Sequence, residues 1–135
     1  MSRDAGSGVQ RFDTRLSFEE LEERLIQSVA DHRMGLVAHA SASRGARARG
    51  IDIPGNAVVG VFRNDYAIRM LNASVAAGLE APLRVYLTEN ADGSATLRYR
   101  LPSVVFAPYS DPELDRLARE LDDVFARIVA DAVGR

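Results

Sequence analysis

The side chains able to do chemistry are few. The chain has two histidines, His32 and His39, no cysteine, and seventeen basic residues that are all arginine. Without cysteine there is no disulfide, no thiolate metal site and no thiol nucleophile. Without lysine there is no Schiff base, no lysine general base and no phosphate-loop lysine. Imidazole, guanidinium, carboxylate and hydroxyl remain. His39 stands among small residues, Ala38, Ala40, Ser41 and Ala42, which leave room beside the ring. It reads either as a hydrogen-bonded structural histidine or as a ligand to a metal or haem iron, for which neutral imidazole is the usual donor. His32, seven residues earlier at a helix end, forms no metal motif with it and complements the helix dipole.

The arginines supply the second candidate. Arg84, Arg98 and Arg100 share one face of a hairpin with Tyr86, Thr88 and Thr96, opposite the leucine and valine positions. Like charges on adjacent strands repel unless something neutralises them. The stripe is thus either a solvated face paired with a neighbour's carboxylates or an anion site, since guanidinium forks suit carboxylate and phosphate. The candidate ligand-binding set is His39, Arg84, Tyr86, Arg98 and Arg100, with His39 also the candidate metal ligand. A porphyrin would use that set with iron on His39 and propionates on the arginines.

Other clusters yield less. Arg44, Arg47 and Arg49 lack the interleaved aromatics that stack bases, and the net charge is −2; neither favours nucleic acid. Glu19, Glu20, Glu22 and Glu23 crowd a helix start, where dipole and solvation account for them. Asp122 and Asp123 diverge by about 100° on a helix and cannot share a substrate. Ser41 and Ser43 lie near His39 with no orienting carboxylate adjacent in sequence. No hydrolase elbow, zinc-protease or dinucleotide motif occurs. No catalytic residue is assigned, and the reading leans away from an enzyme.

These residues need elements to hold them. At 135 residues the chain fits one domain, taken as residues 9–135 after a disordered tail over residues 1–8. That polar start is unlike a signal peptide, and no apolar run reaches the ~20 residues of a membrane span, so a cytoplasmic location without membrane contact is expected. Residues 10–16 alternate as a strand. Ser17 and Glu20 form a capping box for a helix carrying Phe18, Leu21, Leu25 and Val29. Residues 34–43 read as a strand, 44–50 as a loop or short helix, 51–54 as a short extended piece, and 58–63 as a buried strand. Asn64 or Asp65 caps a second helix with Ala67, Met70, Leu71 and Ser74 on one face. Strands from Leu83 and from Ala95 form a hairpin about the turn Asn90-Ala91-Asp92-Gly93. Residues 102–109 are irregular and apolar, serving as core, interface or pocket wall. Ser110 or Asp111 caps a final helix striped by Leu114, Leu117, Leu121, Val124, Ile128 and Ala132. The order β-α-β-β-α-β-β-α predicts a two-layer α+β domain: a mainly antiparallel sheet with helices on one face.

The run Ala76-Ala77-Gly78-Leu79-Glu80-Ala81-Pro82-Leu83-Arg84-Val85-Tyr86-Leu87-Thr88-Glu89-Asn90-Ala91-Asp92-Gly93, preceded by Asn64-Asp65, resembles the domain of unknown function 302 family. So do the opening helix at Ser17-Phe18-Glu19-Glu20 and the closing helix from Leu114. The resemblance spans about residues 9–133. Asp65 stands where a proline is common, and Leu83-Arg84 where many members place a cysteine, so any role tied to that cysteine is absent. The resemblance implies a fold similar to TATA-box-binding proteins, a homodimer, and an association of some members with haem. The resulting expectation is a domain binding a small anionic or amphipathic ligand, with a haem protein and a non-catalytic interaction module as alternatives.

Overall fold

The computed structural model describes residues 2–3 and 8–134. The tail expected over residues 1–8 falls largely outside them; within that stretch, Ser2–Arg3 forms a short strand, β1. Val9–Ser17 is β2, Phe18–Asp31 is α1, Gly35–Ser41 is β3, Ala42–Arg47 is α2 and Asn56–Phe62 is β4. Asn64–Ala73 is α3, Leu83–Glu89 is β5, Ser94–Arg100 is β6, Pro102–Phe106 is α4 and Pro112–Val133 is α5. Short 3-10 turns occupy Ala76–Glu80 and Ala107–Tyr109.

The strands make one sheet in the order β1-β2-β6-β5-β4-β3, every pair antiparallel. α1 packs on α5, and together they cover one sheet face. This is the expected two-layer α+β arrangement. Alternation makes it so: Ala57, Val59, Val61, Leu83, Val85, Leu87, Ala95 and Leu97 sit at every second position and are buried beneath the helices. No helix among the described residues is long and apolar enough to cross a membrane.

Local chemistry explains the ends. Ser17 and Glu20 complete the capping box at α1, the serine accepting from the Glu20 N–H at 3.1 Å and the glutamate from the Ser17 N–H at 3.4 Å. Asp111 caps α5 by accepting from the Leu114 N–H at 3.0 Å. Gly93 closes the hairpin turn at φ +87°, a conformation that costs other residues energy.

Several elements differ from expectation. α2 begins at Ala42, because Ser41 accepts from the Arg44 N–H and caps it, so β3 stops two residues early. α3 starts after Arg63 with no side-chain cap; Asp65 instead receives the Arg63 guanidinium. Its buried residues are Tyr66 and Met70, while Leu71 faces outward. Residues 102–109 are helical rather than irregular: Pro102 opens α4, where a missing N–H costs nothing. Phe125 joins the buried stripe of α5, and Val124 is only partly covered.

Candidate functional site

The sheet has two faces, and the register assigns each candidate to one. His39 pairs with Val59, and Val59 with Val85, both fully buried under the helices. His39 therefore points to the helix-covered side, at the sheet margin on β3. Tyr86 pairs with Val58 and Arg98, and Arg84 with Gly60. Those positions point to the opposite, open side. The structure brings Arg84, Tyr86, Arg98 and Arg100 together and leaves His39 behind the sheet.

The four open-face residues line a cavity of about 600 Å³. Strands β5 and β6 form its floor. Val104 and Val105 of α4, with Pro108, make an apolar wall, and Val58 adds to the floor. The wall is the apolar segment 102–109, whose possible role as a pocket wall was readable in sequence. Glu80, from the turn after α3, sits at the rim; no local pattern marks it.

Charge in this cavity is unbalanced. Glu80 accepts a short hydrogen bond from the Tyr109 hydroxyl, which together with burial holds that hydroxyl protonated above its ordinary value. Arg98 donates to Thr88 Oγ1 at 3.1 Å. Asp13 on β2, held low mainly by hydrogen bonds from Thr96 and Arg11, also feels Arg98. Tyr86 accepts from the Asn56 amide at 2.6 Å. Among the described residues, Arg84 and Arg100 form no ion pair and no side-chain hydrogen bond. Both guanidiniums are exposed to solvent, and among the described residues no ion pair compensates them on their adjacent strands, where like charges destabilise.

Behind the sheet, His39 belongs to another constellation. Its Nε2–H donates to Glu22 Oε2 at 2.9 Å. Arg44 also donates to that oxygen at 3.0 Å and makes a shorter bond to Oε1. Glu22 is buried, only 3% exposed, so it is not part of a solvated acidic cluster. Arg44 is likewise an ion-pair partner rather than a free loop residue. The signal for Glu22 is spacing: it lies four residues after Phe18 and three before Leu25, on the apolar stripe of α1. A buried carboxylate needs such partners. The Arg44 and His39 hydrogen bonds hold its carboxyl below the ordinary value against burial, with the arginine the stronger influence.

His32 caps the end of α1 and bonds Asp131 of α5 at 2.6 Å. Among the described residues, no group of three or more His, Asp or Glu side chains is placed to hold a metal ion. The haem arrangement does not fit: the proposed axial nitrogen is bonded to Glu22, and the sheet separates it from the arginines meant for the propionates.

The profile of domain of unknown function DUF302 matches residues 10–132. No curated protein matches. Among solved structures, the chain is similar to an uncharacterized conserved DUF302 protein from Bacillus stearothermophilus. The two are 19% identical with a TM-score of 0.82, over 94% of this chain and 99% of the other. At that identity the likeness concerns the fold. With the profile covering nearly its whole length, the chain belongs to the DUF302 family.

Proposed function

We propose that this protein is a non-enzymatic domain that binds a small anionic, amphipathic molecule in the open-face cavity. One observation carries the reading: Arg84 and Arg100 open onto a cavity of about 600 Å³ with no carboxylate partner among the described residues. The volume suits a small ligand, since such sites run roughly 300–1,000 Å³. The arginines supply an anion's partners, and Val58, Val104 and Val105 accept an apolar body. Tyr86 also lines the cavity, its hydroxyl held by the Asn56 amide. The reading uses the arginines and Tyr86 and leaves His39 out.

Thermal melts against short-chain carboxylates and phosphates test this. A ligand bound only by the native state at a hundred times its Kd adds about 2.7 kcal/mol and raises the midpoint. The rise should vanish in an Arg84→Gln, Arg100→Gln double variant. No rise with any anion, or the same rise in the variant, removes the proposal.

The homodimer and the cytoplasmic location belong to the same reading. The dimer is supported by a stripe of exposed apolar residues. Ile68, Leu71 and Val75, three and four apart along α3 and just past its end, are 60%, 45% and 78% exposed, and Leu79 follows at 85%. Apolar surface of this kind marks interaction sites. The cytoplasmic location rests on composition, through the absence of cysteine.

A further inference from the structure

We propose that Arg84 and Arg100 act as one receptor for a doubly charged headgroup, so that the cavity selects a phosphomonoester carried on a small apolar body. The inference rests on the binding reading above and adds the chemical class of the ligand.

It starts from register. Val85 pairs with Tyr99 and Tyr86 with Arg98 in the antiparallel β5–β6 ladder. One further step sets Arg84 opposite Arg100, both within their strands. Directly opposed residues have Cβ atoms about 4.5–5.5 Å apart, and like charges there destabilise the pair. The flanking strands offer no relief: Arg84 faces Gly60 on β4, and Arg100 faces Val9 on β2. Glu80, the carboxylate at the rim, is engaged by Tyr109. Arg98 already donates to Thr88.

The charge and shape of the missing partner follow. Each guanidinium is a planar fork with five N–H donors. A carboxylate has oxygens enough for two donors but carries one charge, which leaves the second cation unneutralised. A phosphomonoester carries close to two charges at neutral pH and three terminal oxygens, enough for both forks at one atom. The apolar wall of Val104, Val105 and Pro108 then receives the ester's organic part.

The test is calorimetric titration with two probes of equal chain length, hexyl phosphate and hexanoate, at pH 8. Hexyl phosphate should bind at least about tenfold more tightly. Arg84→Gln and Arg100→Gln should each erase the preference. Both variants should melt no lower than wild type in anion-free buffer, because each relieves a repulsive pair; lowered midpoints in both would overturn the opposed-charge argument. Equal affinity for the two probes would overturn dianion selection while leaving anion binding intact. If neither probe binds, vesicles of phosphatidylcholine with and without phosphatidic acid decide the matter. Retention only with phosphatidic acid, lost in both variants, assigns the headgroup to a lipid; no retention removes this inference and the binding proposal together.

Discussion

At the scale of single residues, Glu22 is the informative position. Its carboxyl sits below the ordinary value of 4.5 because Arg44, and then His39, hydrogen-bond its charged form. The folded protein therefore binds that proton less readily than the unfolded chain. The linked stability is complete above the unfolded value and is lost as pH falls through the folded one. Glu22→Gln should destabilise at pH 7 by about 1.5–3 kcal/mol, the size of hydrogen bonds to charged groups. The gap from wild type should narrow as pH falls below the unfolded value of 4.5 and toward the lower folded one. Urea melts at pH 7 and at pH 3.5 measure both; an equal gap at the two would show that the carboxylate's charge is irrelevant. Sequence alone placed Glu22 among solvated acids, because its four glutamates in five positions suit a helix start. The apolar spacing through Phe18 and Leu25 pointed the other way, and burial followed the spacing.

At the scale of elements, local rules and packing divide the work. The α1 terminus is set by its capping box, so Ser17→Ala should cost about 1 kcal/mol. A melt showing no loss would mean that packing of Phe18 and Leu21 holds the helix start unaided. The α5 stripe is set by burial instead. Leu121 is fully buried, and Leu121→Ala should cost about 2–5 kcal/mol through lost contacts and a cavity; a loss under 1 kcal/mol would show that the core collapses around it. Strand alternation in β5 and β6 was readable directly, since a half-buried antiparallel strand must alternate. α3 and α4 were not. For α3, the N-cap position fell on Arg63, and Asp65 lies inside the helix with its carboxylate on the Arg63 guanidinium, so the expected cap did not form. For α4, two prolines suggested irregular chain, yet Pro102 and Pro108 both fall in opening positions of short helical turns, where proline is tolerated.

At the scale of the whole molecule, the exposed stripe of Ile68, Leu71, Val75 and Leu79 carries the dimer proposal. Sedimentation should give twice the chain mass of 14.7 kDa. Val75→Asp with Leu79→Asp should return the monomer without lowering the melting midpoint, because both side chains are exposed in the single chain. A wild-type monomer at high concentration would sink the dimer. The wider division follows from range. The two-layer class, the capping of α1 and α5, the hairpin and the shared face of Arg84, Tyr86, Arg98 and Arg100 all follow from neighbours a few residues apart, where period and propensity act. Whether that face met His39 depended on how β3 entered the sheet, a pairing across about twenty residues of chain. One register step reverses every side chain of a strand, and no local pattern reports it. The assembled sheet put the imidazole behind the arginines, gave it to Glu22, and left Arg84 and Arg100 lining a cavity.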